Sequence, residues 1–334
     1  MTAAADGVSA WSVSGNTLNS EDVASTLFAV SLFPYLAFLY FLGRPSAATP
    51  PLGNFGFKFL LFFVFATIPA GIYAKLQYHD ILANVDWLHG TAESMLTITN
   101  LFIILGFRAT RPKPSSGIAD AAAAEATRMA DLAIPIMLVL AALSFLHPEP
   151  TNALSIPTWM VHSSSLLEWL LAMKLIWEHA ETSGNPRWKG MTWAMIPSHT
   201  SGICACTYHF FYNAPVLTWI VSLQAGLTVV GNLCLALAAY RISQYSPEQQ
   251  QQEQETRSPK VLEDDDAGFA FDMFVKTVAV AVAVKYGELA LELPFLDNPS
   301  WQAVTIITLP TLANVGKWAI RSRGDSAEEK LFIL

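Results

Sequence analysis

A chain of 334 residues, 53% hydrophobic and only 14% charged, is too apolar for a soluble domain, where charged residues usually reach about 25%. The formal net charge of −8 gathers largely in the segment EQQQQEQETRSPKVLEDDD, so it describes one exposed loop and argues against a nucleic-acid partner. Cys204, Cys206 and Cys234 all sit within apolar runs and indicate no disulfide framework.

Residues 1–23 read as an exposed tail with Asp6, Glu21 and Asp22 but no Lys or Arg. Transit and signal peptides are basic at their start, so the chain is expected to be mature or made without one. A bilayer core about 30 Å thick needs roughly 20 apolar residues per helix. Nine stretches qualify, near 24–43, 55–76, 86–107, 129–147, 157–178, 190–212, 216–240, 269–292 and 299–320. The predicted fold is all-α, a polytopic membrane helical bundle of about nine transmembrane helices. Basic residues alternate with these spans. Arg44 and Lys58 flank the first connection, Arg108, Arg111, Lys113 and Arg128 the third, and Arg187 and Lys189 the fifth; Arg241, Arg257 and Lys260 follow in the seventh, and Lys317, Arg321, Arg323 and Lys330 at the C-terminus. The opposite connections hold only Lys75. The N-terminus is therefore expected on the trans side, lumen or periplasm, and the C-terminus on the stromal or cytoplasmic side.

The expected units after the tail are a three-helix membrane unit at 24–107, a linker at 108–128 and a four-helix unit at 129–242. An acidic Gln-rich loop at 243–268 and a two-helix unit with its tail at 269–334 complete the chain. The first span opens on an N-cap-like Ser20-Glu21-Asp22 and contains Pro34, which should kink it. Thr67, Pro69 and Gly71 in the second suit close helix packing.

In the third span, VDWLHGTAESMLTITN places His89, Glu93, Thr97 and Asn100 on one narrow face. His89 and Glu93, one turn apart, could share a proton, ligate a metal or simply pin the packing. In the fifth, His162 shares a face with Trp169 while Glu168 points about 120° away, so each must look to another helix. A mid-span carboxylate such as Glu168 needs a partner, which favours a functional role over a packing one. In the sixth, Cys204 and Cys206 point about 160° apart and cannot clamp one ion unless the backbone unwinds near Pro197 or Gly202. His199, Cys206, His209 and Asn213 make the better constellation there. The seventh offers Gln224, Thr228, Gly231 and Asn232 for interhelical bonds. In the eighth, KYGELALELPF sets Lys285, Glu288 and Glu292 on one face as an ion-pair group or proton relay. The ninth, with Asn314 and Lys317, is an interfacial anchor. The alternation puts His89, Glu93, His162, His209, Glu288 and Glu292 in the trans half and Glu168 and His199 nearer the midplane. One polar pocket opening toward the trans face is the expectation.

The stretch 152–241, with SIPTWMVHSSSLLEW, WKGMTWAMIP, CACTYHFFYN and LQAGLTVVGN, resembles the membrane family of hypothetical chloroplast reading frame forty-nine, found in cyanobacteria and plastids. The stretch 27–107, with SLFPYLAFLYFLGR, TIPAGIYAKLQY and LANVDWLHGTAE, is similar to a second membrane family of oxygenic phototrophs. A fusion of two partners is implied. So is a home in a plastid membrane, the thylakoid ahead of the envelope, or in a cyanobacterial membrane. Neither resemblance supplies a reaction.

Three functions compete. The first is an accessory or assembly factor of a photosynthetic complex, holding chlorophyll, haem or a carotenoid through His89, His162, His199 and His209, with Cys206, Asn213, Trp169 and Gln224 as further contacts. The second is a membrane enzyme acting on an isoprenoid or tetrapyrrole, with Glu93 and Glu168 as acid and base and the histidines as metal ligands. The third is a proton-coupled transporter using Glu168, Lys285 and Glu288.

Overall fold

The computed structural model describes residues 20–111, 148–150, 152–245 and 264–324, and its regular structure there is entirely helical. The helices are α1 (Ser20–Leu42), α2 (Pro51–Tyr73), α3 (Asp86–Arg108), α4 (Ile156–Ser183), α5 (Trp188–Ala194), α6 (Ile196–Phe210), α7 (Trp219–Ser243), α8 (Asp264–Ala290) and α9 (Ser300–Arg321). A π-helical turn, Ala74–Tyr78, extends α2. Among the described residues, five segments are long and apolar enough to cross a membrane: Asp22–Leu42, Pro51–Tyr78, Asp86–Arg108, Pro215–Ser243 and Ser300–Arg321. Phe33, Phe62, Phe65, Leu233, Leu237, Leu309 and Leu312 are exposed along them, as lipid-facing side chains should be. The expected span at 129–147 and most of the 108–128 linker and the Gln-rich loop lie outside the described residues.

Each remaining element follows from its local chemistry. Ser155 caps α4, its side chain accepting from the Thr158 amide, and Gly184 closes the helix at φ 72°, a conformation glycine adopts freely. The sixth expected span divides at Met195 into α5 and α6. Pro197 has no amide hydrogen, and its ring crowds the preceding turn, which breaks the ladder there. The Met195 carbonyl is bonded nonetheless, by the His199 amide and by Trp169 Nε1 at 3.0 Å. Within α8, Asp272, Lys276, Lys285 and Glu288 interrupt the apolar run.

Cross-helix contacts give the direction of each helix. Gly53 lies against Phe107 and Gly56 against Ile103, so α2 and α3 are antiparallel. Asp86 meets Ser155, Thr97 meets Ser164 and Arg111 meets Glu178, so α3 and α4 run parallel along their full lengths. Asn232 donates to the Ser31 carbonyl and Ser46 to the Ser243 carbonyl, which makes α1 parallel to α7. One buried cluster, including Phe38, Leu42, Ile103, Phe107, Met173, Trp177, Trp188, Leu235 and Ala239, joins these elements.

The starts of α1, α3, α4, α7 and α9 thus share one end of the bundle with the ends of α2, α6 and α8. At that end Trp87 bonds Tyr78 at 3.1 Å, and Trp301 is exposed, marks of a membrane interface. The other end carries Arg44, Arg108, Arg111, Arg187, Arg241 and Arg321.

Close packing in α2 comes from Gly53 and Gly56, not from the expected Gly71, whose Cβ position is open. A Cβ on Gly106 would collide with the Gly53 backbone, so α2 and α3 touch main chain to main chain. Gly106→Ala should therefore lower stability by about 1–3 kcal/mol, while Gly71→Ala should leave it unchanged. Thermal unfolding in detergent would read both, and equal melting of the two variants would contradict this packing.

Candidate functional site

Three histidines converge where α3, α4 and α6 share an end. His89 enters on the first turn of α3, His162 on the second turn of α4 and His209 on the last turn of α6. All three are buried, and one ligand nitrogen from each lies within 4.8 Å of the others. Their ring centroids are 4.9–5.0 Å apart. His89 Nε2 stands 3.2 Å from His162 Nε2. Glu93, one turn along α3, places Oε2 at 3.2 Å from His162 Nε2 and Oε1 at 3.9 Å from His89 Nε2.

The tautomer of His162 is set by its own helix. Its Nδ1 lies 2.9 Å from the Thr158 carbonyl, which can only accept, so Nδ1 carries the hydrogen. In the neutral ring Nε2 is then a bare lone pair facing the Glu93 carboxylate, two acceptors 3.2 Å apart. A cation or a proton between them relieves the repulsion, and a hydrogen on His89 Nε2, 3.2 Å away, can also satisfy the His162 lone pair. Two nitrogens bound to one ion at about 2.0–2.1 Å with tetrahedral angles stand about 3.4 Å apart. The observed 3.2 Å between His89 and His162 fits that spacing. His209, buried at the end of α6, adds a third imidazole with a nitrogen within 4.8 Å of the other two. The Thr158 carbonyl is the usual kind of outer partner that orients a metal-ligating imidazole.

Neighbouring groups hold the helices at this distance. Gly90 faces Thr158, where a Cβ would meet Oγ1 at 2.5 Å. Asp86 Oδ1 accepts from the Ser155 amide at 2.9 Å. Above the histidines, Tyr212 and Asn213 take the left-handed conformation at φ 50° and 55° as the chain leaves α6. Asn213 Nδ2 donates to Asn84 Oδ1 at 2.7 Å and to the Ala83 carbonyl, and Asn152 donates to the Tyr212 carbonyl. This loop ties the end of α6 to the starts of α3 and α4.

The other expected site residues fall elsewhere. The polar stripe of α3 continues into the bundle through Thr97 Oγ1 and Ser164 Oγ, 2.8 Å apart, to Asn100, which donates to the Ser165 carbonyl and interacts with Glu168. Glu168 Oε2 is buried without a hydrogen bond. His199 belongs to a deeper level of α6, against the Leu166 carbonyl, and is not part of the His209 cluster. Ten residues separate it from His209, about 15 Å along a helix. Cys206, by contrast, borders the cluster: it packs against Leu154 and Trp159 and interacts with Glu93, and all three cysteines are free. Trp169 is spent on Met195. Gln224 contributes its carbonyl, which accepts from Ser201 and Thr228.

A second polar group sits beside the first. Glu288 of α8 is fully buried, 3.8 Å from Lys285, which pairs with half-exposed Glu149. Glu288 interacts with Trp159, whose indole lies 6.0 Å from the His162 ring, and with Tyr212. Glu292 follows the end of α8 and is exposed, so it leaves the face expected for it. Sequence reading missed Thr158, Gly90, Asp86, Trp159 and Glu149. Only Thr158 carried a usable signal, lying four residues before a histidine on the same helix.

Comparison with known proteins divides the chain in two. A family described as "Protein of unknown function (DUF3593)" matches residues 24–111, and one described as "Protein of unknown function (DUF2499)" matches residues 153–241. A Ycf49-like protein from Synechocystis sp. is 52% identical over 95 residues, 28% of this chain and 91% of that protein. The "Uncharacterized protein ycf49" of Cyanophora paradoxa is 37% identical over 84 residues, 25% of this chain and 82% of that protein. The chain belongs to the Ycf49-like family. Within it, this chain joins nearly the full length of a Ycf49-like relative to a segment of a second family, as the two sequence resemblances implied. No solved structure matches it.

Asn213→Ala should cost about 1–2 kcal/mol through the lost bonds to Asn84 and Ala83, with a further ~1 kcal/mol because alanine resists φ 55°. Asn213→Gly should suffer only the first loss. Equal melting temperatures for the two would contradict the left-handed turn above the histidines.

Proposed function

We propose that this Ycf49-like protein holds one transition-metal ion between His89, His162 and His209, with Glu93 as fourth ligand or as base beside it. The observation that carries this is the pair of acceptors, His162 Nε2 and Glu93 Oε2, set 3.2 Å apart in a buried cluster of three imidazoles. The spacing also favours a small ion over a tetrapyrrole. Rings 4.9–5.0 Å apart leave no room for a macrocycle plane among them. Nitrogen and carboxylate donors suit zinc, iron, copper or manganese.

In our reading the protein is a multi-pass component of photosynthetic membranes, an accessory or assembly factor that presents this centre to a photosynthetic complex. Its Ycf49-like relatives from Synechocystis sp. and Cyanophora paradoxa support that home, within which we place it in the thylakoid ahead of the envelope. Nine spans with the histidine end in the lumen remain our topology. The parallel α3 and α4 support it, since the chain must return from Arg111 to Asn152 at the opposite end of the bundle, and an apolar run at 129–147 lies between. The basic end then faces the stroma or cytoplasm.

A membrane enzyme acting on an isoprenoid or tetrapyrrole is the second reading. Glu93, whose side chain is 22% exposed, favours it, because three histidines leave coordination positions open for water or substrate. A transporter has less support. The polar seam from His89 stops at Glu168, beyond which Ala172, Met173 and Ile176 are fully buried.

Gently solubilised protein should contain about one equivalent of metal by elemental analysis, and His162→Ala or His209→Ala should lose it while still inserting in the membrane. Lowering the pH below about 6, where imidazoles ordinarily protonate, should release the ion, and raising it should restore binding. A metal-free wild type, or variants that retain full occupancy, would overturn the proposal.

A further inference from the structure

The two matched segments each supply two of the four side chains gathered here. His89 and Glu93 lie in 24–111, His162 and His209 in 153–241. Yet 95 residues make up 91% of the Synechocystis relative, which is therefore too short to contain both segments. A one-segment relative has at most half of the residues gathered here.

The contacts between the segments are those of an interface, not of a loose tether. α1, from the first segment, lies along α7 of the second, with Asn232 bonding the Ser31 carbonyl at 2.9 Å and Phe41 edge-on to Tyr240. α3 lies along α4 through Asp86–Ser155, Thr97–Ser164 and Arg111–Glu178. The buried cluster under them draws Phe38, Ile103 and Phe107 from one segment and Met173, Trp177 and Leu235 from the other. Gly231 at this level serves α6, where it faces Ser198, so the second segment has its own internal packing. Polar groups paired across a membrane interface fix register as well as affinity.

We infer that the two segments are separable protein units that recognise each other, so that the partner of a one-segment Ycf49-like chain is a chain of the DUF3593 kind. The shared α1–α7 and α3–α4 faces are the docking surface, and the fused chain is the permanently joined form of that pair. That the paired state also completes an ion site rests on the metal reading above; the pairing itself does not.

The test uses the whole chain. A specific protease site is inserted between residues 112 and 128, and the protein is folded in the membrane, solubilised in mild detergent and then cut. Size-exclusion chromatography follows at micromolar concentration, with an excess of empty micelles to remove fragments that merely share one. Co-elution of both fragments in equal amounts at the uncut position is expected, and separation into two peaks would overturn the pairing. Metal content of the same fractions keeps the two ideas apart. A co-eluting pair without metal upholds the pairing and sinks the metal centre. Metal retained at full stoichiometry by one fragment alone would overturn the shared site.

Discussion

A backbone carbonyl decides what the buried cluster can be. Thr158 O takes the only hydrogen of the neutral His162 ring, leaving the opposite nitrogen to confront Glu93 at 3.2 Å. In water such a repulsion would be relieved by rotating the carboxylate outward. Here α3 and α4 are locked side by side by Asp86, Gly90 and the Thr97–Ser164 pair, with the imidazoles of His89 and His209 beside them. A cation held there, as we propose, would satisfy every member, and the low dielectric around it would strengthen each of those attractions.

The rest of the bundle can be understood as what keeps those two helices parallel. For the three histidines to meet, α6 must end where α3 and α4 begin. The Pro197 break lets α5 and α6 adjust separately, α5 setting Trp188 edge-on to Phe107 and His179 and α6 meeting α7 through Ser201 and Thr228. Main-chain contact at Gly53 and Gly106 then clamps α2 outside α3. Polar groups that would be costly in lipid are spent on helix-to-helix bonds along these seams.

Much of this was legible in the sequence. Apolar run lengths placed eight of the nine expected stretches on helices, and the ninth lies outside the described residues. The one-sided spacing of His89, Glu93, Thr97 and Asn100 foretold the seam with α4, because four polar residues on one face must meet something polar. Periodicity along one helix says nothing about depth on the next, however. That is why His199 was grouped with His209, although ten residues of rise hold them at different levels, and why Glu292 was assigned to a helical face that ends before it. The loop roles of Asn84, Asn152 and Tyr212 depend on where three helix ends meet, which no single segment encodes.

Parallel pairing of α1 with α7 and of α3 with α4 also orders events in time. Chains emerge N-terminus first, so α1 and α3 are made before the helices against which they lie. Glu93 and His89 therefore arrive in the membrane without their partners, close to the interfacial end where water can still reach them. Only when α6 has been synthesised does His209 close the cluster. The cluster is thus completed only after residues of both matched segments have been made.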